Sequence, residues 1–149
     1  MDKKAQLITQ KKSLWVVMIL SMTFGYGFVY SSTAIQPDPE KWVAPEEAKE
    51  ITNPTATSKK SVKNGEKIFK QYCVVCHGSG GIGDGPGSKA LNPKPANLTS
   101  ADVQAQVDGE IFWKLSNGRG AMVAWGPIIK EDDRWDIVNF IRSIKAEDN

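Results

Sequence analysis

Histidine occurs once in 149 residues and cysteine twice. That scarcity excludes most ways of building a reactive or metal centre. A structural zinc site wants four ligands, and these three side chains cannot supply them. A disulfide between cysteines separated by two residues closes only a tiny ring and staples little, so the value of the pair lies in reactivity or ligation. A basic domain is missing too. The net charge of +2 divides into +3 over residues 1–12 and −1 over the rest, which leaves no cationic surface for nucleic acid.

Charge is absent altogether from residues 13–36, "SLWVVMILSMTFGYGFVYSSTAIQ". Leu14 to Ile35 meets the requirement of about 20 residues for a helix crossing the bilayer. Trp15 near one end and Tyr26 and Tyr30 toward the other suit interfacial anchoring, and Lys3, Lys4, Lys11 and Lys12 keep the N-terminal side in the cytoplasm. The sequence therefore predicts a cytoplasmic tail over 1–12 and a single transmembrane helix over 13–36, with the remainder outside. A cleaved secretory signal ending near "SSTA" is the rival reading.

Residues 37–60, "PDPEKWVAPEEAKEITNPTATSKK", have little apolar content and four prolines. They read as a flexible linker that reaches about 75 Å when extended. Pro45 can start a short helix in "PEEAKEI". Trp42 keeps open the alternative of an ordered strap packed on a partner subunit.

The chemistry lies in residues 61–149. Cys73, Cys76 and His77 form C-x-x-C-H. In this arrangement two thiols add to the vinyl groups of a haem while the adjacent imidazole ligates its iron. One helical turn sends the cysteines to two edges of the porphyrin and the next side chain toward its centre. A redox dithiol would want a βαβ context that the flanks lack. A single histidine rules out bis-histidine ligation within the chain, and two cysteines limit it to one covalent haem c. Outside the N-terminal tail and the apolar run, Met122 is the sole methionine, which makes it the candidate sixth ligand. His and Met together raise the potential and leave no open iron position, so electron transfer fits better than oxygen chemistry.

Around this motif the pattern is helical, giving an all-α domain. Residues 61–77 place Val62, Gly65, Ile68, Phe69 and Tyr72 on one face. Gly65 there predicts a close helix crossing. "EDDRWDIVNFIRSIKAEDN" opens with acids and continues with Trp135, Val138, Ile141 and Ile144, flanked by Ile137 and Phe140. A third helix in "ADVQAQVDGEIFWKLSNG" breaks near Gly109, with Asp108 as its cap and Gly118 as its end. The glycine-rich stretch 78–100 reads as a loop organised by the haem. Either Pro95 or Pro93 is placed to offer a carbonyl to the second ring nitrogen of His77. Leu98, Ile82 and Trp125 either line the haem or pack in the core. Arg119, Trp125 and Lys94 are alternatives for the propionates.

These phrases, from "CVVCHGSGGIGDGPGS" and "LNPKPANLT" to "GEIFWKLSNGRGAM" and "DDRWDIVNFIRSI", resemble the class I cytochrome c domain of bacteria over residues 61–147. "FWKLSNGRGAM" and "PKPANLT" are further similar to the mono-haem cytochrome subunits of alternative complex III and to membrane-tethered donors of haem-copper oxidases. The resemblance implies a class I cytochrome c fold around one covalent haem. It also implies a one-electron carrier on the outer, periplasmic side of a bacterial inner membrane. Such a carrier passes electrons from a quinol-oxidising complex to a terminal oxidase or a photosynthetic reaction centre. The alternative is a fixed electron-exit subunit of a larger oxidoreductase such as alternative complex III. A peroxidase lacks a spare histidine, and a gas sensor lacks an output domain. One departure stands out: relatives commonly follow the methionine ligand with proline, and here Val123 follows, which predicts a less rigid loop.

Overall fold

The computed structural model describes residues 41–55 and 57–146. The expected tail and transmembrane helix over 1–36 lie outside the described residues, as does the start of the linker. Among the described residues no helix is long and apolar enough to cross a membrane.

Helix α1 runs Lys59–Tyr72. It starts at Ser58, whose Oγ accepts the Ser61 N–H at 3.1 Å and so satisfies one of the amides that a helix start leaves without a partner. Its face toward the core centres on Ser61, Gly65 and Phe69, with Val62, Ile68 and Tyr72 half-buried on either side, while Lys63, Lys67, Lys70 and Gln71 stay in solvent. Beyond Cys73 the chain makes a single further turn, α2 (Val74–His77). A four-residue turn, α3 (Ala101–Gln104), precedes α4 (Asp108–Asn117), and α5 (Glu131–Ser143) closes the domain. No strand forms among the described residues.

The domain is organised by α1 crossing α5. A Cβ on Gly65 would run into the backbone carbonyl of Asp136, so the predicted close approach is present. Phe69 meets Phe140 with ring centres 5.1 Å apart, and Trp135 stacks on Phe112 at 3.9 Å. Polar side chains clasp the edge of this crossing: Asn64 Nδ2 donates to Asp133 Oδ1 at 2.9 Å and to Asp136 Oδ2 at 2.7 Å. The expected acidic start of α5 is present, with Glu131, Asp132 and Asp133 in its first turn where the helix dipole favours them.

Two expectations need correction. Asp108 does not cap α4. The cap position is Val107, whose N–H is satisfied by Glu110 Oε2 at 3.0 Å. Asp108 accepts instead from Arg142 Nε at 2.7 Å and from Asn53 Nδ2 at 3.1 Å, so it joins three parts of the chain. Gly118 does end the helix, at φ 62°, a region where only glycine is unstrained.

The second correction concerns the linker. Residues 41–55 form a strap on the domain, with a 3-10 helix over Glu46–Glu50 preceded by Pro45. Ala44 and Ala48 are buried, and a Cβ on Gly109 would strike the carbonyls of Ala48 and Ile51. Farther along, Asn53 Nδ2 donates at 3.0 Å to Oδ1 of the fully buried Asn139, which also accepts from Thr57 Oγ1 at 3.1 Å. Low apolar content suggested a free segment because two alanines against a glycine give a close fit with almost no hydrophobic signature.

Candidate haem site

The site grows from the end of α1. Both the Cys76 and His77 amides bond the Cys73 carbonyl, at 3.1 and 2.8 Å, so the motif is wound as one turn and its three side chains are fixed relative to one another. Cys73 is buried in the core, Cys76 is half-buried, and both thiols are free. Gly78 then turns the chain at φ 75°. The loop that follows is bonded to the motif itself: the Gly83 amide reaches the His77 carbonyl at 2.8 Å, and the Gly85 amide the Cys76 carbonyl at 3.2 Å. Glycine is needed here for clearance. A Cβ on Gly85 would enter the carbonyls of Val74 and Val75, and one on Gly87 would crowd the Val75 carbonyl oxygen at 3.0 Å.

His77 Nδ1 lies 3.3 Å from the Ala96 carbonyl and its ring lies 6.4 Å from that of Phe69. With Nδ1 donating to that carbonyl, Nε2 is the nitrogen left to bind a metal. Burial pushes the imidazole below its ordinary pKa, partly opposed by the Ala96 contact, and so favours the neutral, ligating form. Burial, reinforced by the neighbouring Cys76, pushes the Cys73 thiol up to about 12.

The carbonyl facing His77 therefore belongs to Ala96 and corrects the assignment to Pro95 or Pro93. Pro95 turns its own carbonyl toward Gly83. Lys94 is also committed elsewhere, its Nζ donating to the carbonyls of Ser88 and Lys89 at 2.9 and 3.0 Å, where it closes the 3-10 helix Pro86–Ala90. Leu98, Met122 and Trp125 all pack half-buried against the core cluster. Trp125 tilts over Tyr72 at 5.3 Å. Ile82 is 51% exposed. Arg119 is exposed, with its guanidinium 5.3 Å from the ring centre of Trp42. Its backbone pairs with that of Met122, Arg119 N to Met122 O at 3.1 Å and Met122 N to Arg119 O at 3.0 Å.

Donor chemistry and clearance fit haem c. Two free thiols, an imidazole that burial keeps neutral with one nitrogen committed, a glycine-lined turn beside Cys76 and a thioether packed on the same core are the donor types that covalent attachment and iron ligation would use. Among the described residues no group of three or more His, Cys, Asp or Glu is placed to hold a bare metal ion. Reading the sequence missed the Ala96 carbonyl, because loop geometry selects between neighbouring peptide groups. It also missed Trp42 beside Arg119, a contact between segments far apart in the chain.

Comparison with known proteins bears on the family. Residues 60–141 match the family model described as cytochrome c oxidase, cbb3-type, subunit III. Among characterised proteins, cytochrome c6 of Petalonia fascia is 27% identical over 84 residues, spanning 55% of this chain and 91% of that protein. Cytochrome c6 of Alaria esculenta is 31% identical over 80 residues, 54% of this chain and 87% of its own. A solved structure, the Kuenenia stuttgartiensis reducing HAO-like protein complex Kustc0457/Kustc0458, aligns with a TM-score of 0.57 at 21% identity. That alignment covers 64% of this chain and half of the other, and speaks to the fold alone. The helical frame and the C-x-x-C-H turn expected from sequence thus meet an independent family match across the same residues, and the chain belongs to the class I cytochrome c family, through the domain it shares with cbb3-type cytochrome c oxidase subunit III.

Proposed function

We propose that this cytochrome c, a carrier of electrons and not an enzyme in the usual sense, is a membrane-anchored one-electron carrier with a single haem c. In this reading Cys73 and Cys76 would hold the haem covalently, and His77 and Met122 would ligate its iron. Bound there, haem c supplies a reversible one-electron iron couple. The protein's part is to keep both ligands in place and water out. His77 is oriented by the Ala96 carbonyl, and the tilted Phe69 ring lies beside it at 6.4 Å. Met122 is pinned by its backbone bridge to Arg119, and Trp125, Leu98 and Tyr72 contribute apolar cover around the core. The donor is a quinol-oxidising complex, and the acceptor a haem-copper oxidase or reaction centre, at the outer face of a bacterial inner membrane.

The observation that carries this reading is the placement of the sole histidine, in one turn with two free thiols and with Nδ1 already occupied. A second reading, a fixed subunit of a quinol-oxidising assembly such as alternative complex III, draws support from the strap. Most of the supposed tether is packed on the domain, which removes the reach that a roaming carrier uses.

Replacement of Met122 by Ala tests the ligand set. The variant should retain haem through denaturing electrophoresis yet lose the weak far-red absorption of a thioether-ligated ferric haem. Absorption that is present in the parent and unaltered in the variant would assign the sixth position to another group.

A further inference from the structure

The loop carrying Met122 is held firmly on its inner side and barely on its outer side. Inside, Met122 packs on the core, and the amides of Trp125 and Gly126 bond the carbonyls of Leu115 and Ser116 at 3.1 and 2.9 Å. Outside, Gly120, Ala121, Val123 and Ala124 are exposed, and nothing lies within contact of a Cβ at Gly120. Gly118 and Gly120 have φ of 62° and 57°. Such a loop has many alternative conformations, and Val123 after the methionine leaves its φ unlocked where proline would fix it.

Arg119 is where this loop meets the rest of the protein. Its backbone makes both bonds of the bridge to Met122, and its guanidinium sits on the Trp42 ring at 5.3 Å. Trp42 is braced in turn, edge-on against Trp113 at 6.5 Å and beneath Lys114 Nζ at 5.8 Å. Trp113 and Lys114 belong to the last turns of α4, the helix that leads directly into the loop. Strap, helix and loop therefore converge on one indole.

We propose that Trp42 is a positioning residue for Met122. By fixing Arg119 from outside, it limits the excursions of the bridged methionine and supplies stiffness that the loop's own sequence lacks. The proposal rests on the reading of Met122 as the sixth ligand. A positioning role makes one demand that plain surface packing does not: loosening Trp42 must weaken the hold of Met122 on the iron against a competitor, with the covalent haem and the fold intact.

The test uses the full-length haem-loaded protein in detergent, with imidazole titrated into the ferric form and loss of the far-red absorption followed. Trp42→Ala should bind imidazole about two- to fivefold more tightly than the parent, the range expected from loss of one exposed cation–π contact. Its reduction potential should fall, because a weaker thioether bond favours ferric iron. Trp42→Phe, which keeps an aromatic face, should recover most of both changes. Asn53→Ala loosens the strap at its opposite end and serves as the comparison, with imidazole affinity expected to match the parent. Equal affinities for the parent and Trp42→Ala overturn the proposal, as does an equal effect of Asn53→Ala. Should Trp42→Ala fail to fold, a Trp42→Phe affinity no lower than that of a Trp42→Leu variant overturns it equally. Absence of the far-red absorption from the parent refutes the Met122 assignment itself, a result separate from any failure of the Trp42 effect.

Discussion

Gly65 shows how one missing methyl group sets the geometry of the domain. Alanine would raise helix propensity by about 1 kcal/mol, but its Cβ would occupy the space of the Asp136 carbonyl and force α1 and α5 apart. Backbone overlap in a buried crossing outweighs the propensity gain, so Gly65→Ala should lose about 1–3 kcal/mol in denaturant unfolding. An unchanged midpoint would mean that the crossing is looser than described. Cys73 gives a second expectation, for protein in which its thiol has not reacted. The folded state holds the proton up to about 12, whereas the unfolded chain releases it near the ordinary 9.0. The contribution is complete below pH 9.0 and declines as pH rises toward 12, with a slope of at most about 1.4 kcal/mol per pH unit. A thioether at Cys73 has no proton to lose. Urea melts across this window should fall for the unreacted protein and lack this component once the haem is attached.

Among elements, the strap changes the expected consequence of shortening residues 46–58. Taken as a linker, that stretch sets reach; as observed, it holds Asn139, whose side chain is fully buried. Asn139 accepts from Asn53 and Thr57, and donates to Ser61 Oγ at 2.7 Å. Asn139→Ala strands these partners and should destabilise the domain by about 2–3 kcal/mol, with the haem spectrum kept. Loss below about 0.5 kcal/mol in thermal or urea unfolding would show that water replaces the lost bonds at little cost. The helices themselves were readable because α1 and α5 carry long apolar faces, with acids opening one and glycine marking the crossing. The strap was not, since its hold depends on alanine, glycine and asparagine, whose partners are distant in sequence. The same division runs through the site. C-x-x-C-H announces itself in five adjacent residues, whereas the choice of Ala96 over Pro95 depends on where a loop carbonyl comes to rest.

For the whole molecule, the uncharged run preceded by lysines predicts that the haem protein stays with membranes after a high-salt wash, which screens electrostatic attachment. Recovery in the supernatant with an N-terminus near residue 35 would identify a processed carrier instead. Purification in mild detergent separates the two functional readings, since stoichiometric recovery with a quinol-oxidising assembly marks a fixed subunit and solitary recovery marks a carrier. The crossing of α1 and α5 also bears on the order of manufacture. The chain is synthesised from its N-terminus, so α5 emerges well after the Cys73 turn that it helps to bury. Until that late helix arrives, α1 lacks the helix it crosses, and the core around the first thiol is incomplete. Synthesis itself thus provides an interval in which Cys73 can be reached by chemistry that the finished core shuts out.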